Sequence, residues 1–149
     1  MLPVTSTTLR IFLHALAATV WVGGQLTLAG VLPALRPSGR ETLRSVGRQF
    51  QLLAWPAFAI LVATGIWNLF EVSLGDRSTE YLVTLSVKLA FVTGSGLAAA
   101  IHVLVAAPRV RRAPTEASYR RAAALSGALE GTATLLAIGA LFLGVLLRG

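Results

Sequence analysis

Tyr81-Leu-Val-Thr-Leu-Ser-Val-Lys88-Leu-Ala-Phe-Val-Thr-Gly-Ser-Gly-Leu-Ala-Ala-Ala-Ile-His102-Val-Leu-Val-Ala-Ala107 is a continuous apolar run whose only basic side chains are Lys88 and His102. A hydrocarbon core about 30 Å thick is crossed by roughly 20 helical residues at 1.5 Å each. The run exceeds that length and reads as a transmembrane helix. Similar runs extend from about Ile11 to Leu35, from Phe50 to Phe70 and from Ala122 to Leu147. With Tyr81 to Ala107 they make four spans. The short links between them predict antiparallel neighbours. The expected fold is therefore all-α: an integral membrane antiparallel four-helix bundle forming a single domain over residues 1–149.

Composition agrees with that reading. Of the 149 residues, 55% are apolar and 13% charged, about half the charged share of an ordinary soluble domain. Mean hydropathy is +0.74. These values exclude a soluble globular domain and a disordered chain. Cysteine is absent, which excludes disulfides, CxxC redox pairs and thiolate metal sites. The first span does not resemble a cleavable signal peptide, because its apolar run is too long and lacks a basic leader.

The net charge of +7 is not spread in the manner of a nucleic-acid-binding surface. Arg36, Arg40, Arg44 and Arg48 lie between spans one and two, and Arg109, Arg111, Arg112, Arg120 and Arg121 lie between spans three and four. The other side holds Arg10, Arg77 and Arg148, beside Glu71, Asp76 and Glu80. The positive-inside rule places the two basic links in the cytoplasm and both termini outside. Contact with the lipid bilayer follows, and nucleic acid is not expected as a partner. Pro33 and Pro37 are expected to close the first helix, and Pro108 and Pro114 the third. Pro56 predicts a kink or a frayed first turn in the second.

Polar groups inside spans are costly and raise a functional question. His14, Trp21 and Gln25 fall on one face of the first span at 3.6 residues per turn. Thr84, Lys88, Ser95 and His102 form one stripe on the third, and Ser126, Glu130 and Thr134 one on the fourth. Depth sorts them into an outer site around His14 and Lys88 and an inner site around His102 and Glu130, with Gln25 nearby. His14 reads as a helix-packing imidazole, as an axial haem or copper ligand, or as a proton relay. Lys88, the one lysine, either snorkels outward or binds a carboxylate such as a propionate. His102 with Glu130 reads as a satisfied buried pair, a proton relay or an ion site. Trp21 is a packing residue or a wall for a flat ligand, whereas Trp55 and Trp67 fit interfacial belts. Gly23-Gly24, Gly94-Ser95-Gly96 and the GxxxG pair Gly127 and Gly131 favour close helix approach over space for a planar cofactor.

His14-Ala-Leu-Ala-Ala-Thr-Val-Trp21-Val-Gly23-Gly24 resembles the first-helix signature of CopD-type copper-resistance membrane proteins. Thr64-Gly65 resembles their second-helix Thr-Gly, and Lys88-Leu89 after Tyr81 resembles the segment entering their third helix. The likeness covers about residues 10 to 112. His102 stands where CopD-like proteins often carry a polar residue, commonly Asn. The pair His14 and Lys88 is also similar in type and order to that of HemJ-type protoporphyrinogen oxidases, four-helix membrane proteins that bind haem b. The resemblance implies haem b or copper held in the bundle, with His14 on the metal and Lys88 and Trp21 lining the cofactor, for membrane redox or haem and copper handling in a bacterial inner membrane. Copper meets a chemical difficulty: Cu(I) favours sulfur ligands, and the chain has no cysteine and no methionine beyond Met1. Two other readings are a transport accessory for copper or a small solute without haem, and a structural or assembly subunit of a larger membrane complex or homo-oligomer. No soluble-enzyme constellation is present, so any activity would be that of a cofactor-dependent membrane oxidoreductase.

The orientation has a direct test, because the native chain has no cysteine. In intact cells an impermeant thiol reagent should label Ser78→Cys and leave Ser38→Cys unlabelled; labelling of Ser38→Cys alone reverses the topology.

Overall fold

The computed structural model describes residues 3–148. Its long helices are α1 (Ser6–Ser38), α2 (Arg40–Phe70), α3 (Thr79–Arg112) and α4 (Glu116–Leu146), each long and apolar enough to cross a membrane. No strand occurs among the described residues. The chain is an all-α integral membrane protein, as the four runs predict. It divides into two compact units, Met1–Arg77 and Ser78–Gly149, each built around a helical hairpin.

Three of the four helices, α1, α3 and α4, start at a side-chain cap that the sequence supplies. The Thr5 hydroxyl accepts the Thr8 N–H at 3.1 Å, and Ser78 accepts the Tyr81 N–H at 3.3 Å. Thr115 and Ser118 form a reciprocal capping box at α4, satisfying amides that lack intrahelical partners. The link between α1 and α2 turns at Gly39, whose φ of 91° is open to glycine at little steric cost.

The helices overrun the apolar segments. α2 begins at Arg40, so Arg40, Arg44 and Arg48 are helical, as are Arg120 and Arg121 in α4. Arginine is a good helix former, and its stem can lie along apolar surface while the guanidinium reaches water. Pro37 and Pro114 lie at the ends of α1 and α3 as expected, whereas Pro33 and Pro108 do not stop their helices. Helical structure continues past Pro33 to Leu35, and α2 runs through Pro56 without starting or stopping there. Pro108 lies within α3, just after a π-helical turn at His102–Ala106 in which the Ala107 N–H donates to the His102 carbonyl. Such a turn widens the ladder, relieving the crowding that a proline ring imposes on the carbonyl four residues earlier. A second π-turn spans Thr19–Gly23 in α1.

Contacts show both hairpins to be antiparallel. In the first, Arg10 meets Glu71, His14 meets Thr64 and Trp21 meets Phe58. In the second, Ser95 reaches the Ala133 carbonyl and His102 reaches Ser126. Small residues set the approach. A Cβ on Gly139 would lie 2.6 Å from two Phe91 ring carbons, and one on Gly24 would lie 2.5 Å from a Phe50 ring carbon. A Cβ on Gly127 or Gly131 would meet nothing within 4 Å, so within the second hairpin the GxxxG pair makes no close approach to α3. The contact line on α4 instead follows Ser126, Glu130, Ala133 and Ala137. Gly127 and Gly131 sit one residue, about 100°, around the helix.

Gly139→Leu should therefore lower stability by about 1–3 kcal/mol through overpacking against Phe91. Gly127→Leu should stay within about 0.5 kcal/mol of the parent. Thermal unfolding in mild detergent, with both variants side by side, reads the difference.

Candidate functional site

Each unit holds one histidine, and each histidine is anchored in the same way. In the first hairpin, His14 Nδ1 lies 2.8 Å from Thr64 Oγ1. The Thr64 hydroxyl has one proton, and its oxygen lies 2.7 Å from the Ile60 carbonyl and 3.2 Å from that of Leu61. A carbonyl can only accept, so the hydroxyl donates back to its own helix and accepts from the imidazole. His14 is thus the Nδ1–H tautomer, with the lone pair on Nε2. Gly65 lies beside the ring, where a Cβ would be 3.5 Å from His14 Cε1, an ordinary van der Waals contact. Within the Thr64-Gly65 dipeptide it is therefore threonine that orients the imidazole.

In the second hairpin, His102 Nδ1 lies 3.2 Å from the Ser126 backbone carbonyl and 3.2 Å from its hydroxyl. The carbonyl again requires the proton on Nδ1. His102 Nε2 faces Glu130 Oε2 at 3.6 Å, beyond hydrogen-bond length. Nε2 and Oε2 thus face each other across a short gap without a direct hydrogen bond. Both side chains are partly exposed, at 20% and 29%. The stripes on α3 and α4 expected from sequence thus face each other, joined also by the buried Ser95, which donates to the Ala133 carbonyl at 2.8 Å.

Lys88 belongs to the same hairpin as His102 and lies over Gly144, where a Cβ would be 3.1 Å from Nζ. His14, Trp21 and Gln25 belong to the first hairpin. Trp21 and Gln25 are buried, and the Trp21 ring packs against Phe58 at 4.4 Å and Trp55 at 5.9 Å between centroids. Trp55 is therefore a member of an aromatic cluster as well as a belt candidate. Among the described residues, no three His, Cys, Asp or Glu side chains gather as a metal cage.

The sequence offered no hint of one further cluster. Arg10 is buried, pairs with Glu71 at 3.1 Å and lies 5.8 Å from the Trp67 ring centroid. Trp67 Nε1 donates to the same Glu71 oxygen at 3.2 Å. Cation–π contact and a shared carboxylate tie the ends of the hairpin together. Arg10 looked like an ordinary flanking charge; the signal that could have marked it was its position on the His14 side of α1, one turn before His14.

The family model for copper resistance protein D (CopD) matches residues 44–147. The chain belongs to the CopD family. The match includes Thr64-Gly65, Lys88, His102 and Glu130 and extends into α4, beyond the likeness read from sequence. The His14 to Gly24 segment precedes it. Comparison with curated proteins and with solved structures gave no significant match, so the similarity to HemJ-type oxidases is not shown.

Thr64→Val keeps the shape and removes the acceptor for His14. It should cost about 1–3 kcal/mol if the Nδ1–H is left unsatisfied. It should also abolish the Nδ1–H tautomer preference, which the 15N shifts of the imidazole read directly. Retention of that preference would show that Thr64 does not set it.

Proposed function

We propose that this CopD-family protein handles copper as cargo within the membrane, with His14 as one nitrogen ligand and His102 with Glu130 as a second station. The observation that carries this reading is the shared tautomer. Both imidazoles spend Nδ1 on an oxygen of the facing helix, which assigns the lone pair to Nε2 and fixes the ring, as partner groups of metal-binding histidines do. Imidazole and carboxylate suit Cu(II) better than Cu(I). Ligand atoms 3.6 Å apart, each about 2.0–2.1 Å from an ion, subtend roughly 120°. A station with two protein donors binds weakly enough to release its ion, as passage requires. Lys88 near Gly144 adds an amine that can donate to anionic or carbonyl groups near that end of α3 and α4.

The proposal is not routed through haem b. The Trp21 face nearest Phe58 is covered, and the grooves at Gly24–Leu53 and Leu104–Leu125 are lined by neither His14 nor Lys88.

The test is metal analysis and electron paramagnetic resonance of the purified full chain, with and without Cu(II). The wild type should bind copper with nitrogen hyperfine coupling. His102→Ala and Glu130→Gln should each weaken binding by about tenfold or more, in the range of lost ligands and their partners, and His14→Ala should remove a separate share. Absence of bound copper, with unchanged copper tolerance when the protein is deleted, would sink the proposal. A Soret band that His14→Ala abolishes would replace it with the haem reading.

A further inference from the structure

The two basic links differ in a way that composition does not show. In the second hairpin, Arg109 and Arg112 from the end of α3 and Arg121 from α4 line one open groove of about 800 Å³. None of these three has an ion-pair partner among the described residues. The one carboxylate in that stretch, Glu116, is paired with Arg120 at 3.7 Å. Three guanidinium groups around one groove repel each other unless an anion joins them. The rest of the lining is apolar: Leu104, Val105 and Leu125 share the groove, and Leu104 is 74% exposed. Leu104 and Leu125 lie on the membrane side of the arginines along their helices. The groove therefore presents a cationic rim above an apolar wall that continues into the bilayer.

The groove beside the link of the first hairpin differs in character. That groove, about 500 Å³, is lined by Gly24, Leu28, Val46, Phe50 and other apolar or neutral side chains, and by no arginine. Arg36, Arg44 and Arg48 carry the same charge on that link but do not line this groove.

We infer that the groove formed by Arg109, Arg112 and Arg121 is a discrete binding site for one anionic phospholipid, its headgroup phosphate on the arginines and an acyl chain along Leu104 and Leu125. Guanidinium forks match phosphate oxygens in pairs, and basic pockets between membrane helices hold anionic headgroups in this manner. A soluble phosphate would satisfy the rim and leave the apolar wall bare. A zwitterionic lipid would bring its own cation to a rim with an excess of positive charge. The site is independent of copper handling.

Native mass spectrometry of the full chain in mild detergent tests this, using phosphatidylglycerol, phosphatidylcholine and inorganic phosphate as probes. Phosphatidylglycerol should give a saturable one-lipid adduct, and phosphatidylcholine should give little. The variant R109Q/R112Q/R121Q should lower the adduct's affinity by at least about tenfold, given the contribution of each basic residue near an anionic surface. The variant R36Q/R44Q/R48Q removes equal charge and should stay within about twofold of the parent. All six arginines are exposed, and helical circular dichroism checks that both variants fold. Equal losses in the two variants would overturn the site in favour of diffuse attraction. Equal retention of phosphatidylcholine would overturn the charge selectivity. Displacement of the lipid by millimolar inorganic phosphate would show a free-anion site instead.

Discussion

Hydrocarbon offers no hydrogen bonds, and everything in this protein answers to that. A backbone that crosses a bilayer must satisfy its own amides and carbonyls, which makes each crossing a helix. A polar side chain on such a helix must find its partner on a neighbouring helix or on its own backbone. Thr64 does both, donating to Ile60 on its own helix and accepting from His14 across the hairpin. Ser95 spends its proton on the Ala133 carbonyl. His102 uses the Ser126 carbonyl. The polar groups are thus few and directional, and their direction fixes which nitrogen of each imidazole hydrogen-bonds to the opposite helix.

That constraint also explains why so much was legible beforehand. A span is announced by length and apolarity, so the four crossings could be read directly. Once helices were assumed, spacing placed Lys88, Ser95 and His102 on one stripe and Ser126 and Glu130 on another, and the structure joins His102 to Ser126 and Glu130 and Ser95 to Ala133 on the facing helix. Trp21 and Gln25 are buried, as a shared inward face requires. Helix ends were less legible, because hydropathy marks where lipid stops and not where hydrogen bonding stops. The arginine-bearing turns before Phe50 and before Ala122 are helical although they are not apolar.

Other features were hidden for specific reasons. The GxxxG at Gly127 and Gly131 is a pattern without a direction, and register alone decides that Gly139 meets the neighbouring ring. The Arg10, Trp67 and Glu71 cluster joins residues far apart in sequence, each ordinary by itself. The tautomer of His14 depends on where the single proton of Thr64 goes, which only the distances reveal. The charge on the two basic links looks alike in sequence, yet the groove beside one is lined by arginines and the groove beside the other is not.

The π-turns at Thr19–Gly23 and His102–Ala106 carry a consequence for descent. A π-turn holds one more residue than the α-turn it replaces, so it is what a helix becomes after absorbing a single inserted amino acid. Residues on either side of it remain in helical order, but their phase is displaced by about a quarter turn. A relative lacking the insertion would place the same side chains in the same pockets under numbers that differ by one. Aligning it without a gap would mismatch every position beyond the turn, including the arginines after Ala106, and homology would look weaker than it is.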